Sequence, residues 1–224
     1  MRTLQPAILL AVLTTSACAV WNPDYERDPD AALRAALPAT TAAGALDAVQ
    51  LERAQFAVER LATRFPDHVA CQAAAAALAM DRGQTQRARG YAERAIELEP
   101  GNVSARCVRV RVAVDDGSLD LARKLVDDGL RLRPDAAALY ESSAWLHQLD
   151  GSHDDALRAL DAAEGLGAPD WRVAHHRGLI EELRGAFSAA ASHYEDALAK
   201  NPECTDARRR LSGLTAQRKL QSGR

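Results

Sequence analysis

The sequence predicts an all-α protein, a solenoid of stacked helical hairpins. Three observations carry this. Gly83, Gly117, Gly151 and Gly185 follow one another at a fixed step of 34 residues. Ala88, Ala122, Ala156 and Ala190 keep the same step. Pro100, Pro134 and Pro202 close three of the periods, and the remaining one has slipped by a residue to Pro169. A period of this length is one helix-turn-helix unit, which cannot bury its apolar face alone and therefore stacks on its neighbours.

Each period reads the same way. The glycine ends a first helix, where a left-handed residue is least strained without a side chain. The alanine five residues later lies inside a second helix and lets two backbones approach closely. Ala95, Gly129, Ala163 and Ala197 lie seven residues further on the same face. The proline cannot continue that helix, and Pro100-Gly101-Asn102 and Pro134-Asp135 are turn chemistry. Four units result: 69–102, 103–136, 137–170 and 171–204.

Upstream, Pro66 and Ala54 keep the phase but Val49 takes the glycine position. Residues 29–68 are therefore either a divergent repeat or a cap. A short helix opens at Asp28-Pro29, an N-cap followed by proline at the first helical position. A second helix is expected over 45–64. Downstream, in the terminal segment 205–224, one lone helix is expected over 205–219, with Thr205 as candidate cap. Arg208, Arg209, Arg210 and Arg218 give this end a polar face. The run is either a solvated surface or a contact for an acidic partner.

Composition agrees with a stack. The chain is 47% apolar but only 4% aromatic, and its run Ala73–Ala77 followed by Leu78 suits close helix packing. The formal net charge is −3 and no basic stripe dominates, which speaks against nucleic acid as the partner.

The segments Tyr91-Ala92-Glu93-Arg94-Ala95-Ile96-Glu97-Leu98-Glu99-Pro100 and Tyr194-Glu195-Asp196-Ala197-Leu198-Ala199-Lys200-Asn201-Pro202 resemble the second helix of the tetratricopeptide repeat (TPR) family. Gly178 and Phe187 also stand where that family has a small residue and a post-turn aromatic. The resemblance implies a right-handed α-solenoid whose first helices line a concave face that holds a protein or peptide. On this chain the implied face starts apolar, with Ala70, Ala73, Ala77 and Met80, then Cys107, Val108, Arg111 and Val114. It ends polar and aromatic, with Glu141, Trp145, Gln148, Arg172, His175, His176, Leu179 and Glu182. Arg111 and Trp145 are residue types that dominate interface energies, although Trp145 has a second reading as packing against a neighbouring repeat. Arg172 is expected to meet an acidic group, and the histidines to make binding pH-sensitive. The family's lysine-based clamp for chaperone tails is not expected, because Lys124, Lys200 and Lys219 are the chain's lysines and none is on a first helix.

The N-terminus has Arg2, an apolar stretch Ala7–Leu13 and then Thr14-Thr15-Ser16-Ala17-Cys18. A charged start, a short apolar core and small residues read as an export signal over 1–17. The cysteine after the small residues resembles a bacterial lipoprotein signal, with Cys18 carrying the acyl (palmitate-type) chains. Cleavage after Ala19 is the competing reading, since Ala17-Cys18-Ala19 also has the A-x-A form. Residues 18–28 read as a tether, in which Trp21 and Tyr25 either sit at the membrane interface or pack on the first helix. Ala19 stands where an aspartate would signal inner-membrane retention, so the resemblance implies a periplasm-facing, lipid-anchored protein of the outer membrane. The alternative is a soluble periplasmic or secreted one. Such a compartment permits one bridge, Cys71–Cys107, against free thiols as the plainer reading.

No catalytic constellation is expected. Ser152-His153-Asp154 are consecutive in an inter-helix turn, where Ser152 or Asp154 more naturally caps the next helix. His175-His176 with Glu181-Glu182 is not H-E-x-x-H and lacks a third ligand. The expectation is therefore a non-enzymatic interaction scaffold without cofactor, metal or small-molecule substrate. It is similar to pilotin-type lipoproteins that assist type IV or Tad pili or secretion machines. The alternatives are an adaptor docking peptidoglycan enzymes or β-barrel assembly factors, and a docking arm of an envelope peptidase.

Overall fold

A computed structural model of the chain describes residues 28–37 and 48–222. The expected signal, Cys18, Trp21, Tyr25 and residues 45–47 lie outside the described residues. Among the described residues there are eleven helices and no strand. They are α1 (Pro29–Ala36), α2 (Ala48–Arg64), α3 (Val69–Asp81), α4 (Thr85–Leu98), α5 (Val103–Asp115), α6 (Leu119–Leu132), α7 (Ala137–Leu149), α8 (His153–Gly165), α9 (Asp170–Leu183), α10 (Phe187–Lys200) and α11 (Thr205–Ser222).

The local signals act as their chemistry requires. Asp28 caps α1, its carboxylate accepting from the N–H groups of Asp30 at 3.0 Å and Ala31 at 3.1 Å. The four periodic glycines have φ between 69° and 77°. The residue after each donates its N–H five residues back, as Gln84 does to Ala79 at 2.9 Å and Ser118 to Ala113 at 2.7 Å. Those bonds satisfy carbonyls that a helix end leaves bare. The slipped third period has its own cause. After α8 the chain turns through Gly167 at φ 86°, with the Ala168 N–H on the Ala163 carbonyl at 2.9 Å. A second glycine turn replaces the proline-led one, so α9 starts at Asp170, one residue early. Two cap expectations need correction. Ser152 stands at the N-cap of α8 but its side chain makes no capping bond. Thr205 is the first residue inside α11 rather than its cap.

The core is a row of layers. Leu33, Val58 and Cys71 join α1, α2 and α3. Ala76, Ala92 and Val112 join α3, α4 and α5. Val110, Val126 and Leu146 join α5, α6 and α7. Leu160, Val173 and Ile180 extend the row to α9, and Tyr194, Ala207 and Leu214 to α11. Each layer thus takes one hairpin and the first helix of the next. Ala88, Ala122, Ala156 and Ala190 are fully buried, and the in-phase Ala54 is 3% exposed. First helices also touch one another directly, α1 with α3, α3 with α5 and α5 with α7, while the second helices have no comparable contact. The first helices therefore form the inner wall.

Polar links recur at three of the junctions between units. Gln72 donates to the carbonyls of Ala62 at 2.8 Å and Pro66 at 3.3 Å, Arg106 to Pro100 at 2.6 Å, and Arg208 to Pro202. Each donor lies six residues after its proline. It satisfies a carbonyl of the turn that leaves the preceding second helix, and Gln72 also reaches one in the last turn of α2. On the outer edge Arg89 pairs with Asp116 and Arg123 with Asp150. These pairs are solvated, so each contributes at most about 1 kcal/mol.

Gly178 marks the tightest approach. A Cβ there would lie 2.5 Å from Cε1 of Tyr194, which is itself fully buried. Gly90, inside α4, has nothing within 4 Å of the same position. Gly178→Ala should therefore destabilise the fold by about 1–3 kcal/mol through overpacking. Gly90→Ala should stabilise it by up to about 1 kcal/mol through helix propensity. Chemical denaturation of the two variants checks this opposition of sign; a Gly178→Ala protein as stable as wild type would refute the packing argument.

Candidate binding groove

Side chains on successive first helices reach the next one across spacings of 31 to 35 residues. The Cys107 thiol lies 3.7 Å from the Ala138 carbonyl and 3.7 Å from the Ser142 hydroxyl. Arg172 Nε donates to Glu141 Oε1 at 3.0 Å, and His175 Nε2 lies 3.0 Å from Asp206 Oδ2. The rungs therefore pass from thiol to ion pair to imidazole–carboxylate along the wall.

The apolar start expected of the groove is corrected by the packing. Ala73, Met80 and Val108 are buried in the layer shared by α3, α4 and α5, and Val114 packs on the next layer. Small alanines allow α5 to close over α3, so these residues are core rather than an open floor. Ala70 is exposed and Ala77 half-buried. Arg111 is exposed, with Nη1 3.6 Å from Asp81. Trp145 and Gln148 are half-buried. Trp145 belongs to none of the five core layers.

The polar end is largely engaged by the chain itself. Tyr194 donates its hydroxyl to Glu182 Oε2 at 2.6 Å, and Arg210 Nη1 donates to the same oxygen at 3.2 Å. Arg210 Nε also reaches Asp206 Oδ2 at 3.1 Å. Burial pushes the Asp206 carboxyl up, but donation from Arg210, His175 and Arg209 outweighs this and holds it below its usual range. Burial, then the bond to Glu182, pushes the Tyr194 phenol well above its ordinary value. Leu179 packs on the layer that contains Tyr194. Arg172, expected to meet an acidic group, meets Glu141 of this chain. Of the arginine run, Arg208 and Arg209 are exposed, but Arg210 is a half-buried bridge between α9 and α11 rather than part of a solvated surface.

His176 departs from the expected pH sensitivity near neutrality. Burial first, and then His175 and Arg172, lower its pKa from 6.5 to about 4. It remains neutral through the range in which an ordinary histidine charges.

Other candidate clusters separate. Asp154 pairs with Arg184, away from Ser152. Cys71, Cys107 and Cys204 are all free thiols, and burial pushes Cys71 and Cys107 up. Cys71 Sγ sits 3.2 Å from His68 Nδ1, but it is fully buried. Among the described residues no three metal-binding side chains converge.

No family model matches the chain, and no curated protein matches its sequence. Solved structures do match its fold. TTC0263, a thermophilic TPR protein of Thermus thermophilus, is similar with a TM-score of 0.72 at 18% identity, covering 84% of this chain and 100% of its own. Human IFIT1, solved as a dimer with m7Gppp-AAAA, gives 0.73 at 18% identity, covering 86% of this chain and 46% of its own. PilF of Pseudomonas aeruginosa gives 0.57 at 17% identity, covering 68% and 69%. The chain thus spans the whole of TTC0263 but less than half of IFIT1. At these identities the likeness defines the fold: an all-α repeat solenoid of the TPR type.

The half-buried His176 generates a pH prediction. The unfolded chain binds this proton near pH 6.5 and the folded chain only near 4. Its contribution is therefore complete above pH 6.5 and is lost as the pH falls toward 4, reaching roughly 2–3 kcal/mol. Denaturation curves at pH 7.5, 5.5 and 4.5 should show this loss in wild type and a flatter profile in His176→Gln. Parallel profiles would exclude a neutral His176 imidazole in the folded chain.

Proposed function

We propose that the protein is a non-catalytic scaffold of the bacterial envelope, held to the outer membrane by acyl chains on Cys18, with its inner wall receiving an envelope protein or peptide. The observation that carries the groove reading is Trp145. A large aromatic on the inner wall that joins no core layer is a suitable anchor for a partner, and Arg111 stands exposed one repeat earlier. The working face is the middle of the wall, Arg111, Trp145 and Gln148. The Arg172–Glu182 end is occupied with closing the stack. Assistance to a type IV or Tad pilus or a secretion machine is proposed from the resemblance to pilotin-type lipoproteins. The m7Gppp-AAAA of the IFIT1 structure is not carried over, because this chain has a formal net charge of −3 and few lysines.

Two measurements test the proposal. Affinity capture from solubilised envelope should lose its specific partner with Arg111→Ala and with Trp145→Ala, each by about tenfold or more. Unchanged recovery in both would remove the groove assignment. Mass spectrometry of the mature N-terminus should find an acylated Cys18, and Cys18→Ser should abolish the acyl mass. An unmodified chain beginning at Val20 would contradict the anchor.

A further inference from the structure

The outward side of α2 differs from every other second helix. Val49, Arg53, Phe56, Arg60 and Arg64 fall within about 80° of arc at 100° per residue, one continuous stripe. Val49 is 55% exposed and Phe56 65%, the highest exposure of any large apolar side chain described. The residues in phase with Phe56 on later second helices are Gly90, Lys124, Arg158 and Ser192, all exposed or half-buried and none apolar. Phe56 therefore stands where the fold itself calls for no aromatic.

Charge sharpens the contrast. Arg53 and Arg60 make no ion pair among the described residues, and the Arg60 guanidinium lies 5.9 Å over the Phe56 ring. Arg64 continues the stripe, its guanidinium 5.6 Å over the Phe65 ring. By contrast, Arg87 and Arg94 on α4 are paired with Glu59 and with Asp67 and Glu97. No carboxylate lies within the stripe. Glu52 flanks it, and Glu59 turns away to Arg87 and Gln55. A chain of formal net charge −3 thus leaves the Arg53 and Arg60 guanidinium groups without an ion pair among the described residues, beside an exposed aromatic on one helix face.

The geometry points to this face as a docking surface for an anionic phospholipid bilayer. Phenylalanine and valine enter the headgroup–acyl boundary, and the guanidinium groups meet lipid phosphates. Position supports the same occupant. Ten residue steps lead from Cys18 to Asp28, at most about 35 Å of extended chain. Acyl chains on Cys18 would therefore hold α1 and α2 near the bilayer. That clause rests on the proposed acylation; the face itself does not. An anchor and a surface contact together hold a protein more firmly than either alone.

The test uses the full chain carrying Cys18→Ser, so no acyl anchor is present in any arm. Cosedimentation is measured with vesicles of phosphatidylcholine alone and with added phosphatidylglycerol. The expected result is binding to the anionic vesicles, weakened by salt. It should fall about tenfold or more in the double variant Arg53→Gln/Arg60→Gln, and severalfold in Phe56→Ser. The three positions are exposed, so the variants should keep the wild-type thermal melt. Equal binding to both vesicle types, or binding unmoved by the variants, would overturn the proposal. So would a dimer in light scattering that Phe56→Ser dissolves without any vesicle binding, which would assign the face to a second copy of the chain. Failure of acylation alone produces none of these results.

Discussion

The stack depends first on how closely the two helices of each hairpin approach. Four alanines at one step of 34 residues are fully buried, and on the helix facing the last of them Gly178 lies against the Tyr194 ring. Close approach leaves little room between helices, so each core layer is thin and built largely from alanine and valine. A thin layer cannot hold a hairpin together alone. It has to recruit the first helix of the following unit, which is what all five layers do. The inner wall of first helices follows from this recruitment.

The last unit meets a harder constraint, because nothing stacks on α11 among the described residues. A chain of hydrogen bonds from Tyr194 through Glu182, Arg210 and Asp206 to His175 joins α9, α10 and α11 there. Buried polar groups are tolerated only when their partners are all present. The residues that look most reactive at this end are therefore committed to each other. In the middle of the wall, by contrast, Arg111 has only the 3.6 Å approach of Asp81 and Trp145 joins no core layer among the described residues.

The period is legible in the sequence because both of its markers answer to backbone geometry. A left-handed turn selects glycine at Gly83 and its equivalents, and a close approach selects alanine at Ala88 and its equivalents. The groove is less legible. Whether Glu141 or His175 is available depends on residues 31 positions away on another helix, and no local pattern reports that distance. The arginine run shows the same difficulty. Arg208 and Arg210 are two residues apart, yet one satisfies a carbonyl and the other bridges two helices, because the register of α11 turns them to different sides. Met80 reads as groove and is core, because alanine-rich helices close over a side chain that a bulkier neighbour would have kept open. The donors Gln72, Arg106 and Arg208 are within reach of the sequence, since each follows a proline by six residues.

Those donors give the solenoid a direction. Arg106 of one unit satisfies the turn carbonyl left behind at Pro100, so the earlier unit is finished by a residue that comes after it. A truncation placed between two units would leave the earlier one with bare carbonyls, even if every one of its own residues were kept. An exchange of units between related proteins would have to carry over the opening turn of the successor as well. At Pro66, Pro100 and Pro202 the natural module therefore extends six residues beyond the proline, into the unit that follows.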